Sequence, residues 1–184
     1  RRQSDALRAA LTMPYALRSH ADAVKATTGP LADEWNQIAE KQAGVHIVSW
    51  LYSNFRYLTN SKRPVTSLED LEGMKIRVPQ NKIMLATYQA WGASPISMSW
   101  PEVFTGLQQG VIDGQDNPDI VNYTMKFQEM QKYLTEVHYQ YSLQPIVMGG
   151  AHLQQALCAS IPADRGLSGA CCHGSGRGAV RPAD

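Results

Sequence analysis

The chain has 184 residues, 43% of them hydrophobic, and 17 basic against 16 acidic side chains leave a net charge of +1. That is enough apolar material for a buried core and no basis for a broad field that attracts nucleic acid or an anionic membrane surface, so any selectivity for charge must be local. No apolar run approaches the roughly 20 residues of a membrane-spanning helix, and the opening RRQSDALRAAL lacks the apolar core of a secretory signal and an initiating Met, which reads as a processed or partial N-terminus.

In chain order, TGPLADEWNQIAEKQAG places Leu31, Trp35, Ile38 and Ala39 on one stripe, with Pro30 in the first turn and Gly44 at the stop, which predicts an amphipathic helix. VHIVSWLY reads as a mostly buried strand and NFRYLTN as a second extended segment ending in the turn SKRP. Ser67 is positioned to cap a short helix, SLEDLEG, closed by Gly73, and MKIRVP follows as a strand. NKIMLATYQAWG is helical in pattern, and SPISM is a brief extended piece. Ser99 and Glu102 form a capping box with Pro101 in the first turn and Gly110 at the stop, predicting a helix over about Trp100–Gln109. VID then reads as a strand, Asn117 and Pro118 as the cap and first position of the next helix, and QKYLTEVHYQYSLQPIVMGG as extended chain. From about Leu157 the chain turns to Gly, Ala and Arg without periodicity, the pattern of a disordered tail.

Strands alternating with helices predict an α/β architecture, in which ligands sit where strand ends meet helix N-termini. RVP, SMSW and DGQDNP occupy such mouth positions. Arg77, between Ile76 and Val78, is either a solvent-facing strand residue or a planar fork for a carboxylate, and Arg56, between Phe55 and Tyr57, is equally ambiguous. Trp100 is either core or a cover for the apolar body of a ligand. Asn117 is a helix cap by default, and an amide at a helix start also suits an anion.

Other chemistries find little support. DGQDNPD departs from a calcium loop in the place of its Gly and in the missing Glu at the twelfth position. Cys158, Cys171 and Cys172 are odd in number, and CCH at 171–173 has no fourth zinc ligand at workable spacing. No nucleophile, metalloprotease or phosphate-loop motif occurs. An α/β enzyme using Asp113, Asp116 or His138 as acid or base is the alternative from the enzyme class.

The ordered motifs L-x-G-x-K-x-R-V-P, G-A-S-P, W-x-E-V and L-Q-x-G-V-x-D-G-Q-D-N-P, followed by KFQEMQKYLTEVHY, closely resemble the solute-binding proteins of tripartite ATP-independent periplasmic (TRAP) transporters, over about Leu11–Leu157. The resemblance implies two α/β lobes joined by crossing strands and closing over a small organic carboxylate. It further implies periplasmic location, delivery to a membrane permease, no catalysis and no cofactor. It makes Arg77 the main carboxylate clamp, Trp100 the aromatic cover, Asn117 the orienting amide and Arg56 a second arginine. Asp116 stands where the family usually has Glu, and Gln80 and His138 match positions at the pocket edge. The implied division is 1–53 as part of the first lobe, 54–141 as a nearly complete second lobe, 142–157 as the return and 158–184 as an atypical tail, so the chain reads as truncated at both ends. A truncated form that binds nothing is the third reading.

Overall fold

The computed structural model describes residues 12–150 and residue 152, so the tail at 158–184 and its cysteines lie outside the described residues. Two helices open the described chain. In α1 (His20–Thr28), the Ser19 hydroxyl accepts from the Asp22 N–H at 3.1 Å. In α2 (Pro30–Ala43), Pro30 occupies the first turn and Gly44 ends the helix at φ 64°. Trp35 and Ala39 are buried and pack with Ile47, Val45 and Trp50, while Leu31 remains exposed, so only part of the predicted apolar stripe is covered.

The next element differs from expectation. VHIVSWLY and NFRYLTN form one strand, β1 (Val45–Asn60), 16 residues long. Asn54 adopts φ 66°, a left-handed conformation that asparagine tolerates better than most residues, so the chain bulges between the two expected extended segments and continues as one strand. The bulge between Tyr52 and Phe55 also marks a change of partners. Val45–Phe55 pair antiparallel with β6 (Tyr141–Gly149), whereas Arg56–Asn60 pair with β4 (Gly114–Pro118), and Leu58–Asn60 with β5 (Tyr133–Thr135).

Beyond β1 lies a mixed sheet of order β3-β2-β4-β1-β5, in which β2 (Lys75–Val78) runs parallel to both β3 (Ser94–Ser97) and β4. Between β2 and β3, α3 (Lys82–Ala90) is capped by Asn81, whose side-chain oxygen accepts from the Ile83 and Met84 N–H groups. Leu58, Ile76, Val78, Met84, Tyr88 and Tyr139 form the larger core on one face. The opposite face carries Val103, Leu107, Ile112 and Phe127, with Ile96 and Met98 against them. Arg77 alternates with Ile76 and Val78, which sets its side chain on this second face.

Several local expectations shift by a few residues. The segment at 67–73 holds only a 3-10 turn, Glu69–Leu71, and Ser67 does not cap it. The Asp70 carboxylate instead accepts from the Thr66 and Ser67 N–H groups at 2.8 and 3.0 Å, because a carboxylate facing free amides competes well with a hydroxyl. The helix expected over Trp100–Gln109 is a 3-10 turn, Trp100–Glu102, leading into α4 (Val103–Gln108). Its entry is held by the Glu102 carboxylate, which accepts from both the N–H and the hydroxyl of Ser99.

The segment GVIDGQDNP carries the largest correction. VID is not a strand: the strand is Gly114–Pro118, and α5 (Asp119–Thr124) starts one residue later than expected. Asn117 is therefore a strand residue and not a helix cap, since the ladder of β1 against β4 extends as far as Arg56 opposite Pro118. Gly110 reverses the chain after α4 at φ 70°. At Gly114 a Cβ would lie 2.3 Å from the Thr59 carbonyl oxygen, so the close strand approach itself requires glycine.

Asp116 points into the larger core and is fully buried. It receives Arg56 Nε at 2.8 Å and the Tyr139 hydroxyl at 2.5 Å. Burial lowers the Arg56 pKa, but the charge and hydrogen bonds of Asp116 outweigh that effect, with Tyr139 and Tyr88 adding to it, and the net shift is upward. Burial and the same carboxylate push the phenols of Tyr88 and Tyr139 well above their usual range. Two outcomes follow for chemical denaturation. Asp116→Ala leaves a guanidinium buried without its partner and lowers stability by about 3–5 kcal/mol; Gly114→Ala forces β1 and β4 apart and lowers it by about 1–3 kcal/mol.

Candidate functional site

The parallel strands β2 and β3 end together at Val78 and Ser97, β4 runs alongside β2, and the chain leaving β3 enters the turn that bears Trp100. In register, Arg77 lies between Ile96 on one side and Gln115 on the other. Arg77 is 4% exposed. Nε donates to the Met98 carbonyl at 3.0 Å, and the guanidinium carbon stands 5.6 Å from the centre of the Trp100 ring. Trp100 is 39% exposed and meets Phe127 edge-on at 6.0 Å, so one part of the indole packs while another remains open to solvent.

Among the described residues, Arg77 forms no ion pair. The Asp116 carboxylate is engaged by Arg56, which also reaches the Asp116 main-chain oxygen and, at 3.3 Å, Asn117 Oδ1. Of the two buried guanidinium groups, only that of Arg56 is paired with this carboxylate. Burial lowers the Arg77 pKa, Asp116 opposes that shift, and the like charge of Arg56 adds to it. A buried cation in this condition gains from an incoming anion, above all one whose two oxygens match the guanidinium fork.

Asn117 shares a face of β4 with Gln115, and across the ladder it lies opposite Tyr57. The expected site residues thus divide by environment. Arg77 and Trp100 stand together, Arg56, Asp116 and Asn117 form a second contact group, and Asp116 is sealed in the core. Gln80 is exposed in the bend after β2. His138, at φ 47°, packs on Phe55 and Tyr57 at 5.0 and 5.4 Å and approaches Glu136 at 3.9 Å. It lines a cleft of about 400 Å³ with Tyr15, Leu17, Arg18 and Phe55. Arg18 escaped sequence reasoning because no motif surrounds it. Gln115 escapes because a turn-and-cap pattern hides the two-residue alternation that places it beside Asn117.

The acid and base candidates have structural partners. The Asp113 carboxylate accepts from the Lys75 N–H at 2.9 Å and lies 3.4 Å from Lys62 Nζ, bracing the entry to β2. Among the described residues no group of His, Cys, Asp and Glu could hold a metal ion, and no helix is long and apolar enough to cross a membrane.

Known proteins resemble this chain over most of its length. The family model for bacterial extracellular solute-binding protein, family 7, matches residues 4–156. The 2,3-diketo-L-gulonate-binding periplasmic protein of Escherichia coli K12 is 34% identical over 157 residues, covering 82% of this chain and 48% of that protein. A TRAP periplasmic solute-binding protein of Roseobacter denitrificans, solved with bound L-galactonate, superposes with a TM-score of 0.75 at 32% identity, covering 87% of this chain and 51% of that one. Another from Ochrobactrum, with bound L-fuconate, gives 0.73 at 38% identity over 80% of this chain and 49% of its own. The chain therefore spans about half the length of the relatives it matches. The α/β architecture expected from the strand and helix order is that of these two-lobed binding proteins, and the chain belongs to the bacterial extracellular solute-binding protein family 7.

Proposed function

We propose that this chain forms part of an extracytoplasmic binding protein that captures a small organic carboxylate, of the sugar-acid class, and presents it to the permease subunits of a TRAP-type transporter in the periplasm. The observation that carries this reading is the buried Arg77 guanidinium, which lies against Trp100 and has no carboxylate partner among the described residues. Structural neighbours bind L-galactonate, L-gulonate and succinate, all carboxylates.

In this reading Arg77 receives the carboxylate through two parallel hydrogen bonds. Trp100 covers the ligand body and excludes water, which strengthens the ion pair at the cost of desolvation. Asn117 orients the ligand, and Arg56, held by Asp116, supplies a second positive charge close by. Asp116 acts through Arg56, because its own oxygens are engaged. Gln80 and His138 lie at the rim, His138 beside a cleft that also holds Arg18. Capture is binding and not chemistry, and the ligand favours whichever arrangement of the β1–β6 crossing gives it more contacts.

A thermal-shift series with L-galactonate, D-erythronate, succinate and a neutral sugar control tests this. A ligand at about 100 times its dissociation constant adds about 2.7 kcal/mol to stability, which raises the melting temperature by roughly 5–10 °C for a domain of this size. The acids should give that shift and the neutral sugar should not. Arg77→Ala should abolish it while the protein remains folded by circular dichroism. Arg77→Lys, which keeps the charge and loses the fork, should bind roughly ten to a hundred times more weakly in calorimetry. Equal affinity of Arg77→Ala and the parent counts against the proposal.

A further inference from the structure

Gln115 is fully buried and touches neither Arg77 nor Trp100 through a hydrogen bond, yet its side chain stands in the middle of a chain of amides. Asn122 Nδ2 donates to the Asn117 main-chain carbonyl at 3.1 Å. Gln115 Nε2 donates to Asn122 Oδ1 and to Thr59 Oγ1, both at 2.8 Å. Asn117 Nδ2 donates to Gln115 Oε1. Arg56 Nη2 donates to Asn117 Oδ1 at 3.3 Å.

The two ends of this chain admit only one chemical sense. A backbone carbonyl can only accept, so Asn122 must present its nitrogen there and its oxygen to Gln115. Gln115 must then donate to Asn122 and accept from Asn117. At the far end a guanidinium can only donate, so Asn117 must present its oxygen to Arg56. Both ends impose the same orientation on Asn117, and each amide between them is held against a flip.

We infer that Gln115 is a positioning residue for ligand capture: with Asn122 and Thr59 behind it, it fixes the Asn117 amide so that one N–H donor remains to meet an anion. This rests on the carboxylate-capture reading. Asn117 Nδ2 carries two hydrogens, one committed to Gln115, and its oxygen is already engaged by Arg56. An amide free to rotate would lose affinity to the ordering of its side chain and, in half of its orientations, would turn its oxygen toward the ligand oxygens.

The test is a double-mutant cycle on the full chain with L-galactonate as probe. Gln115→Met keeps the length of the side chain and removes its hydrogen bonds. It should weaken binding roughly ten-fold in the parent and less than two-fold in an Asn117→Ala background, because the effect passes through Asn117. Asn122→Ala leaves Gln115 in place without the partner that orients it and should give a smaller loss with the same dependence on Asn117, which serves if Gln115→Met fails to fold. If the Asn117→Ala background binds too weakly to read, exchange of the Asn117 side-chain amide protons decides: slow in the parent and fast in either variant supports the inference, and unchanged exchange overturns it. Equal losses in both backgrounds, or no loss, overturn it as well. A parent that binds none of the acids sinks the capture reading, and this inference with it, whereas equal losses with a binding parent sink this inference alone.

Discussion

The arrangement depends on a single buried ion pair. Asp116 lies on the face of β4 that looks into the larger core, across the ladder from Leu58, where an unpaired carboxylate would be costly. Arg56 makes that position tenable, and in doing so it is held at the point where β1 stops pairing with β6 and begins to pair with β4. The Tyr139 hydroxyl completes the arrangement from the segment that leads into β6. One carboxylate therefore ties together three parts of the chain at the crossing of the two pairings. Removing one partner of such a pair is costly, since it leaves a charge in an apolar interior.

The same pair leaves a charge imbalance on the other side of the sheet. Arg77 is buried one strand away, and Asp116, the nearby carboxylate, is already engaged by Arg56. Met98 and Trp100 soften the desolvation of Arg77 with one carbonyl and one aromatic face, but neither carries a full negative charge. Alternation along two strands thus does two things at once: Asp116 and Arg56 stabilise the interior, while Arg77, Gln115 and Asn117 form a polar row on the opposite face. The proposed capture of a carboxylate uses that row, and the amide chain behind it resists rearrangement because its ends have fixed donor and acceptor roles.

Much of this was legible in the sequence where the cause is local. The capping box of Ser99 with Glu102, the Pro30 start and the Gly44 stop each act within one turn, and each appears in the structure where local chemistry places it. The motif order around Arg77, Trp100 and Asn117 named candidate residues but not their partners. Where the reading missed, the deciding partner was remote in sequence. Asn-Pro usually opens a helix, which predicts a cap at Asn117, but β1, some 60 residues earlier, extends the ladder across it. VHIVSWLY and NFRYLTN read as two segments because nothing local shows that β6 pairs with the first part of one strand and β4 with the rest.

The amino-acid sequence alone determined the alternation of strands and helices, the near-neutral charge that confines selectivity to single residues, and the family likeness carried by R-V-P and D-G-Q-D-N-P, since each of these rests on neighbours a few positions apart. Only the tertiary structure decided that Asp116 is spent on Arg56, that Arg77 is left without a carboxylate among the described residues, and that Gln115 stands behind Asn117. Pairing register and side-chain direction set those outcomes, and both depend on which distant strand lies alongside.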